Sequence, residues 1–123
     1  MSRFIKSFLF AISGIKYCIT KEANFRTHII CAILVIAAGL FFRINQAEWV
    51  NVFICIGVVL CMEMINTAIE QLCNIVHKET HAGIKVIKDI SAAAVLISAI
   101  IAFICGSIIF IPKIIIYLNS IIK

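Results

Sequence analysis

The stretch ISAAAVLISAIIAFICGSIIFI, residues 90–111, decides the fold of this chain. Its 22 residues carry no charge. As an α-helix they extend about 33 Å, slightly more than the ~30 Å hydrocarbon core of a bilayer. We therefore predict a transmembrane helix over residues 90–111 that ends at Pro112, because proline disrupts a continuing helix.

The overall composition supports a membrane protein. The 123 residues are 63% hydrophobic and 14% charged, against about 45–50% and about 25% in soluble domains. This composition excludes a soluble monomeric protein. The net charge of +5 comes with a single Trp and no basic cluster between aromatics, so it favours anionic lipid over nucleic acid as a partner. The length allows one domain, and an elaborate site would have to be shared between subunits.

Two further membrane spans are predicted, over residues 25–42 and 49–76. The uncharged part of the first span, 29–42, is short, but extension back to Phe25 brings it close to bilayer length. Polar residues 43–48 predict a tight turn between these spans. Residues 77–89 are predicted to form the loop before the third span.

The N-terminal segment predicts a surface helix over residues 3–21. Basic and hydroxyl residues alternate there with Phe4, Phe8 and Ile12 at helical spacing, a pattern typical of a basic amphipathic helix on a membrane surface. The segment has no small-residue cleavage site after its short apolar part, so we do not expect a signal peptide. The predicted fold is an all-α membrane protein with an N-terminal amphipathic surface helix and three transmembrane helices.

Basic residues are distributed unequally between the two sides of these spans. The positive-inside rule places the side with more Lys and Arg in the cytoplasm. The N-terminus and the 77–89 loop are therefore expected to be cytoplasmic. That side carries Arg3, Lys6, Lys16, Lys21, Arg26, Lys78, Lys85 and Lys88, and the other carries Arg43, Lys113 and Lys123.

Small and sulfur-containing side chains in the spans predict packing rather than chemistry. The six cysteines occur singly without metal-ligand spacing, so we interpret them as small apolar packing residues. On the third span, Ala94, Ser98, Ala102 and Gly106 recur every four residues. Such a ridge allows another helix to approach closely.

A polar stripe interrupts the second span. At 100° per residue, four polar side chains lie within about 60° of Glu63 on one helical face. A carboxylate at membrane depth costs several kcal/mol unless it meets a wet cavity, a partner or a cation. A functional site is one explanation, and a hydrogen-bonded stripe that holds an oligomer together is another. The stripe contains Glu63, Asn66, Thr67, Glu70 and Asn74.

Acidic and basic residues next to the first and third spans extend this pattern. Glu22 has an ordinary i,i+4 partner in Arg26, but together with Glu70 it could supply the two carboxylates of a Mg²⁺ site. Asp89 is placed to cap the third span, and Lys88 beside that helix start suits an anion. Neither a GxxxxGK[ST] nor a GxGxxG phosphate loop is present.

Three segments carry a resemblance to a known family. They are EANFR at residues 22–26, EMINTAIE at residues 63–70 and KDISAAAVL at residues 88–96. Together they resemble the bacterial integral-membrane diacylglycerol kinases, which include undecaprenol kinases. The resemblance extends over nearly the whole chain as a single membrane-embedded lipid kinase domain.

The resemblance implies a homotrimer with active sites at subunit boundaries. It implies a multi-pass protein of the bacterial inner (cell) membrane, with its N-terminus and active site in the cytoplasm. The implied reaction is ATP-dependent phosphorylation of a membrane lipid alcohol, diacylglycerol to phosphatidic acid, with undecaprenol to undecaprenyl phosphate as the alternative.

The resemblance also implies roles for individual residues. Glu63 becomes the general base, Glu22 and Glu70 the ligands of Mg²⁺ bound with ATP, and Asn66 and Asn74 supporting residues. Asn74 stands where many family members have Asp, and Phe10 and Thr80 stand where some have Tyr. The implied nucleotide-binding residues are Arg3, Phe10, Glu22, Glu70, Glu79, Thr80, His81, Lys88 and Asp89.

Two other functions agree with part of the sequence. A small ion-coupled transporter subunit would explain acidic residues inside the membrane, but it leaves Glu22 and the Lys88-Asp89 pair without a role. A structural subunit would explain the small-residue ridge of the third span and leaves the buried carboxylates unexplained.

Overall fold

Four helices make up the part of the chain that the structure describes. A computed structural model describes residues 2–76 and 82–122 of the chain. Helices α2, α3 and α4 are each long and apolar enough to cross a membrane. The prediction of an all-α membrane protein with an N-terminal helix and three spans is therefore confirmed. The helices are α1 (Arg3–Lys21), α2 (Ala23–Phe41), α3 (Gln46–Val76) and α4 (Ala82–Ile121).

A single residue separates α1 from α2. Glu22 has an extended conformation, with φ −105° and ψ 113°, and its N–H donates to the carbonyl of Cys18. The guanidinium of Arg26 donates to the carbonyl of Ile19 at 3.1 Å, which ties the first turn of α2 to the last turn of α1. Among the described residues, Glu22 and Arg26 do not form the ordinary ion pair that the sequence suggests. Glu22 is thus held at the bend with its carboxylate available for other partners.

The turn between α2 and α3 is built around a reciprocal cap. Arg43 has a positive φ of 50°. The N–H of Asn45 donates to the Glu48 carboxylate at 2.8 Å, and the N–H of Glu48 donates to the Asn45 side chain at 3.0 Å. This capping box starts α3 at Gln46, three residues before the predicted start of the span. The predicted turn over 43–48 is otherwise confirmed.

The interface of α3 with α4 is the most extensive in the molecule. Along α3, the side chains turned toward the bundle alternate four and three residues apart, a period of about 3.5 that is typical of coiled-coil packing. This inner stripe is apolar toward Gln46 and becomes polar at Glu63. It consists of Val52, Ile56, Val59, Glu63, Asn66, Glu70 and Cys73.

Helix α4 is much longer than predicted. It has 40 residues, about 60 Å of helix, and contains Pro112 in its interior. The prediction that the span ends at Pro112 is wrong. Beyond the proline, Lys113 forms an ion pair with Glu48 at 3.1 Å, and the ring of Tyr117 packs against Phe41 and Phe42. These contacts offset the one helical hydrogen bond that proline removes.

The start of α4 also differs from the prediction. Residues 82–89 are helical, so the predicted 77–89 loop is wrong for that part, and residues 77–81 lie outside the described chain. The helix extends back toward Ala82 because Ile84, Lys88 and Ser91 lie on the same packing face of α4. Asp89 therefore does not cap a helix, and Lys88 does not lie at a helix start. Backbone N–H groups at these positions are used within the helix and do not form an anion site.

Two polar links join α3 and α4 at opposite ends. The ammonium of Lys88 donates to the side-chain carbonyl of Asn74 at 2.7 Å. The Glu48–Lys113 ion pair lies about 39 Å away along α3. Because the hydrocarbon core is about 30 Å thick, the two links fit on either side of it. We call the Asn74–Lys88 end the site end and the Glu48–Lys113 end the far end.

The small-residue ridge and the cysteines are less closely packed than the sequence suggests. Within the described chain, Ala102 and Gly106 line an open groove, and a Cβ added at Gly106 would meet nothing within 4 Å. All six cysteines are free, and only Cys18 and Cys73 are buried. This groove lies between α2 and α4, on the face of α3.

Close packing at the far end depends on Gly39. The buried core there contains Ile44, Val52 and Ile109, with Trp49 packed against it. A Cβ added at Gly39 would lie 2.8 Å from the Trp49 ring. Only glycine lets α2 approach α3 this closely.

We predict that Gly39→Ala destabilises the protein by about 1–3 kcal/mol, because the rigid ring must move. Thermal unfolding in detergent micelles measures the effect. Gly14→Ala is the matched control, since a Cβ there meets nothing within 4 Å, and it should leave the melting temperature unchanged or raise it. Equal melting temperatures for the two variants would contradict the packing argument.

Candidate functional site

The polar stripe of α3 points into the helix bundle at the site end. Glu63, Asn66 and Thr67 are only 3%, 6% and 5% exposed. Glu70 is half-buried, and Asn74 is exposed at the mouth. The stripe thus runs from a deeply buried carboxylate to the surface along one helix face.

A chain of hydrogen bonds orients the middle of the stripe. The amide of Asn66 donates to the Glu70 carboxylate at 3.3 Å, and the hydroxyl of Ser91 donates to the Asn66 carbonyl oxygen at 2.6 Å. The Ser91 hydroxyl also lies 2.9 Å from the carbonyl of Lys88, so its single proton serves one acceptor at a time. Ser91 on α4 therefore fixes Asn66, which in turn positions Glu70.

Ionisable groups from α1, α2 and the bend between them approach the buried end of the stripe. Glu63 lies within electrostatic range of His28, Glu70 and Glu22. On α1, burial raises the pKa of the Cys18 thiol, and the nearby carboxylates of Glu22 and Glu63 raise it further. The bend between α1 and α2 thus brings Glu22 to the same region as the α3 carboxylates.

Other residues predicted for the site do not join this cluster within one chain. Arg3 and Phe10 are exposed on α1, about 28 Å and 18 Å along the helix from Glu22. Asp89 is exposed on α4. Glu79, Thr80 and His81 lie outside the described residues. The nucleotide contacts of all these residues stay predictions.

Two residues that lie at the site, Ser91 and His28, have no role among those predicted from the sequence. Ser91 holds Asn66, and its position three residues after Lys88 in an apolar span was an available signal. His28 is half-buried near Glu63. An ionisable side chain at the start of a span is a functional candidate by the same argument that singled out the carboxylates.

The acidic groups fit one kind of metal site. Among the described residues, no group of three or more His, Cys, Asp or Glu side chains is arranged to hold a metal ion. Two other carboxylates, those of Glu22 and Glu70, lie within electrostatic range of Glu63. Mg²⁺ is usually bound by one or two carboxylates together with phosphate oxygens and water, so this donor set suits Mg²⁺ bound with a nucleotide.

We predict that Ser91→Ala destabilises the protein by roughly 1–2 kcal/mol, because the buried Asn66 carbonyl oxygen loses its partner across the helix interface. Ser98→Ala is the matched control on the same helix, since the Ser98 hydroxyl donates to the carbonyl of Val95 within α4. Unfolding in detergent micelles compares the two variants. If Ser98→Ala is as destabilising as Ser91→Ala, the cross-helix bond does not stabilise the site.

The chain is similar to known proteins of one family. The family model of the prokaryotic diacylglycerol kinases matches residues 9–110. The undecaprenol kinase of Bacillus subtilis (strain 168) is 36% identical over 113 residues, which are 92% of each chain. The diacylglycerol kinase of a Synechocystis species is 31% identical over 107 residues, 86% of this chain and 61% of that protein. The chain therefore belongs to the prokaryotic diacylglycerol kinase family, and it is a lipid kinase.

Proposed function

We propose that the polar stripe of α3 is the active site, where the terminal phosphoryl group of ATP is transferred to the hydroxyl of a membrane lipid alcohol. The observation that carries the proposal is the burial of the Glu63 carboxylate, 3% exposed, where the inner stripe changes from apolar to polar. A lipid hydroxyl reaches this depth while its hydrocarbon chain stays in the apolar half.

Glu63 acts as the general base in this proposal. Its carboxylate accepts the proton of the lipid hydroxyl as that oxygen bonds to the terminal phosphorus and the bond from phosphorus to ADP breaks. Such proton transfer usually contributes about 10²–10⁴ in rate. The burial of Glu63 excludes bulk water, which would otherwise compete with the lipid for the phosphoryl group.

Glu22 and Glu70 would hold Mg²⁺, which when bound with ATP neutralises phosphate charge. Glu70 is positioned by Asn66, which Ser91 orients. At the mouth, Asn74 holds the Lys88 ammonium, where that charge faces incoming phosphate. The remaining nucleotide contacts are assigned to Arg3, Phe10, Glu79, Thr80, His81 and Asp89.

Two lipid alcohols are candidate acceptors. Diacylglycerol, which would give phosphatidic acid, is the acceptor in the name of the matching family. Undecaprenol is the acceptor in the name of the Bacillus subtilis relative, which aligns over 92% of both chains. Phosphorylation of each lipid in the same mixed micelles decides between them.

The active site is proposed to be completed by other copies in a homotrimer. A second stripe on α3, opposite the inner stripe, is exposed and also alternates four and three residues apart, which favours self-association through coiled-coil-like packing. This outer stripe consists of Ala47, Asn51, Ile54, Val58, Cys61, Ile65, Ala68, Leu72 and Ile75.

The membrane placement is proposed from charge. Most Lys and Arg residues lie at the site end, so the positive-inside rule puts the N-terminus and the active site in the cytoplasm of a bacterial inner (cell) membrane. This orientation places the site on the side where ATP is available.

We predict that Glu63→Gln lowers turnover by about 10²-fold or more, because an amide cannot accept the hydroxyl proton. ATP binding should remain near wild type, since the change lies deeper than the nucleotide residues. Turnover in mixed micelles and ATP affinity by calorimetry are measured in parallel. The matched control is Glu48→Gln on the same helix at the far end, which should keep normal turnover. Near-normal turnover of Glu63→Gln would place the base elsewhere, and loss of ATP binding would assign Glu63 to the metal site.

We predict that Glu22→Gln and Glu70→Gln each raise the Mg²⁺ concentration needed for ATP binding, because each loses a charged oxygen ligand. The effect of the double variant should be much smaller than the sum of the two single effects, since both residues act on one ion. Calorimetric titration of ATP at a series of Mg²⁺ concentrations gives this result without relying on activity. An unchanged Mg²⁺ dependence in both variants would remove the shared metal site.

A further inference from the structure

One cysteine from each span lines the groove between α2 and α4. They are Cys31 on α2, Cys55 on α3 and Cys105 on α4. All three are free, and Cys55 and Cys105 are half-buried, whereas Cys31 is exposed. The groove has a volume of about 700 Å³, so small molecules have room to reach these side chains. The single occurrence of each cysteine in the sequence gives no sign of this convergence.

The antiparallel register of α3 and α4 places Cys55 opposite Cys105. The Glu48–Lys113 ion pair fixes this register at the far end, and hydrogen bonds between the two helices fix it at the site end. From the ion pair, Cys55 lies seven residues along α3 and Cys105 eight residues back along α4. These steps correspond to about 10 Å and 12 Å of helix, so the two cysteines lie at nearly the same depth on facing helices.

The side chains of Cys55 and Cys105 also interact across the interface of α3 with α4. The Cys55 thiol in addition donates to the side-chain carbonyl of Asn51 at 3.7 Å. Within the described chain, no set of three or more His, Cys, Asp or Glu side chains is arranged to hold a metal ion, and a structural zinc site needs four ligands. A disulfide needs only two sulfurs. It is also uncharged, which suits an apolar groove inside a membrane.

We propose that Cys55 and Cys105 are a thiol pair that peroxide oxidises to a reversible disulfide, which joins α3 to α4 and fixes their interface. Hydrogen peroxide is uncharged and small enough to enter the groove. One sulfur attacks the peroxide, the O–O bond breaks, and the leaving hydroxide takes the thiol proton, which gives a sulfenic acid and water. The second sulfur then attacks the first, and its proton and the sulfenic hydroxyl leave as water. Two thiols and one peroxide thus give one disulfide and two waters.

The pair is separate from the polar stripe of α3. Cys55 lies about 12 Å along α3 from Glu63, and Cys105 lies about 21 Å along α4 from Ser91. The disulfide therefore touches no residue of the stripe, although it joins the two helices that hold the stripe together. Because of this separation, the inference does not rest on the proposed function, and it is tested without measuring activity.

The first test detects the disulfide within one chain. Reduced protein in detergent micelles is treated with hydrogen peroxide, and its free thiols are blocked with N-ethylmaleimide. Trypsin then cuts the denatured chain between α3 and α4, at Lys85 and Lys88. On a denaturing gel the fragments that carry Cys55 and Cys105 should stay joined until tris(2-carboxyethyl)phosphine is added. Mass spectrometry should find the joined peptides two hydrogen atoms lighter than the reduced pair.

Single replacements identify the two partners. Cys55→Ala and Cys105→Ala should each abolish the disulfide. Cys31→Ala is the matched control, because Cys31 lines the same groove from α2, and it should leave the yield unchanged. The proposal is overturned if wild type forms no disulfide, if the disulfide joins two copies of the chain, or if it persists in Cys55→Ala or Cys105→Ala. A loss of the disulfide in Cys31→Ala overturns it as well.

The second test measures the effect of the disulfide on the interface. Peroxide-treated wild type should melt about 5 °C or more above the reduced protein, because a disulfide that closes a long loop constrains the unfolded chain. Cys105→Ala treated in the same way controls for methionine oxidation, and its melting temperature should not rise. An equal shift in wild type and Cys105→Ala would overturn the proposed fixing of the interface.

Discussion

The antiparallel packing of α3 against α4 is the interaction on which the rest of the structure depends. A spacing of four and three residues turns the same face of α3 inward from Val52 to Cys73, so the residues at those positions are buried or half-buried whatever their polarity. Toward the far end this face is apolar and burial is favourable. At the site end it carries Glu63, Asn66 and Glu70, whose burial costs free energy unless partners are supplied. Ser91 supplies a partner for Asn66 from α4, so the packing that creates the cost also provides part of the compensation.

This change of polarity along one stripe suits the reaction proposed for it. Glu63 is the first acidic residue reached from the apolar half, and Glu70 lies about 10 Å nearer the mouth. In the proposed function, a substrate that is mostly hydrocarbon meets Glu63 from the membrane side, while a nucleotide meets Glu70, Asn74 and Lys88 from water. The two reactants of a lipid kinase differ in polarity in the same way, so a single helix face with a graded polarity can receive both.

The sequence predicted the helices and the stripe because both are encoded by local periodicity and by the absence of charge. Predictions from the sequence were wrong where contacts between residues far apart in the chain determine the structure. Pro112 is a helix breaker by local rules, but Glu48 and Phe41, more than sixty residues earlier in the chain, dock the segment that follows it. Asp89 matched a capping position, but α4 begins earlier, because Ile84 and Lys88 lie on one packing face of the helix. The approach of His28 to Glu63 and the groove between α2 and α4 depend on how the helices pack together, which periodicity within one helix does not determine.

The end of α4 that follows Pro112 lies outside the residues that the family model matches. The family model matches residues 9–110, whereas Lys113, Ile114 and Tyr117 follow it on α4. The polar stripe of α3, which is proposed as the site of phosphoryl transfer, lies within the matched region, as expected for chemistry that a family has in common. The α4 extension packs on α2 and α3 without altering the α3 stripe, because about 39 Å separates the Glu48–Lys113 pair from Asn74.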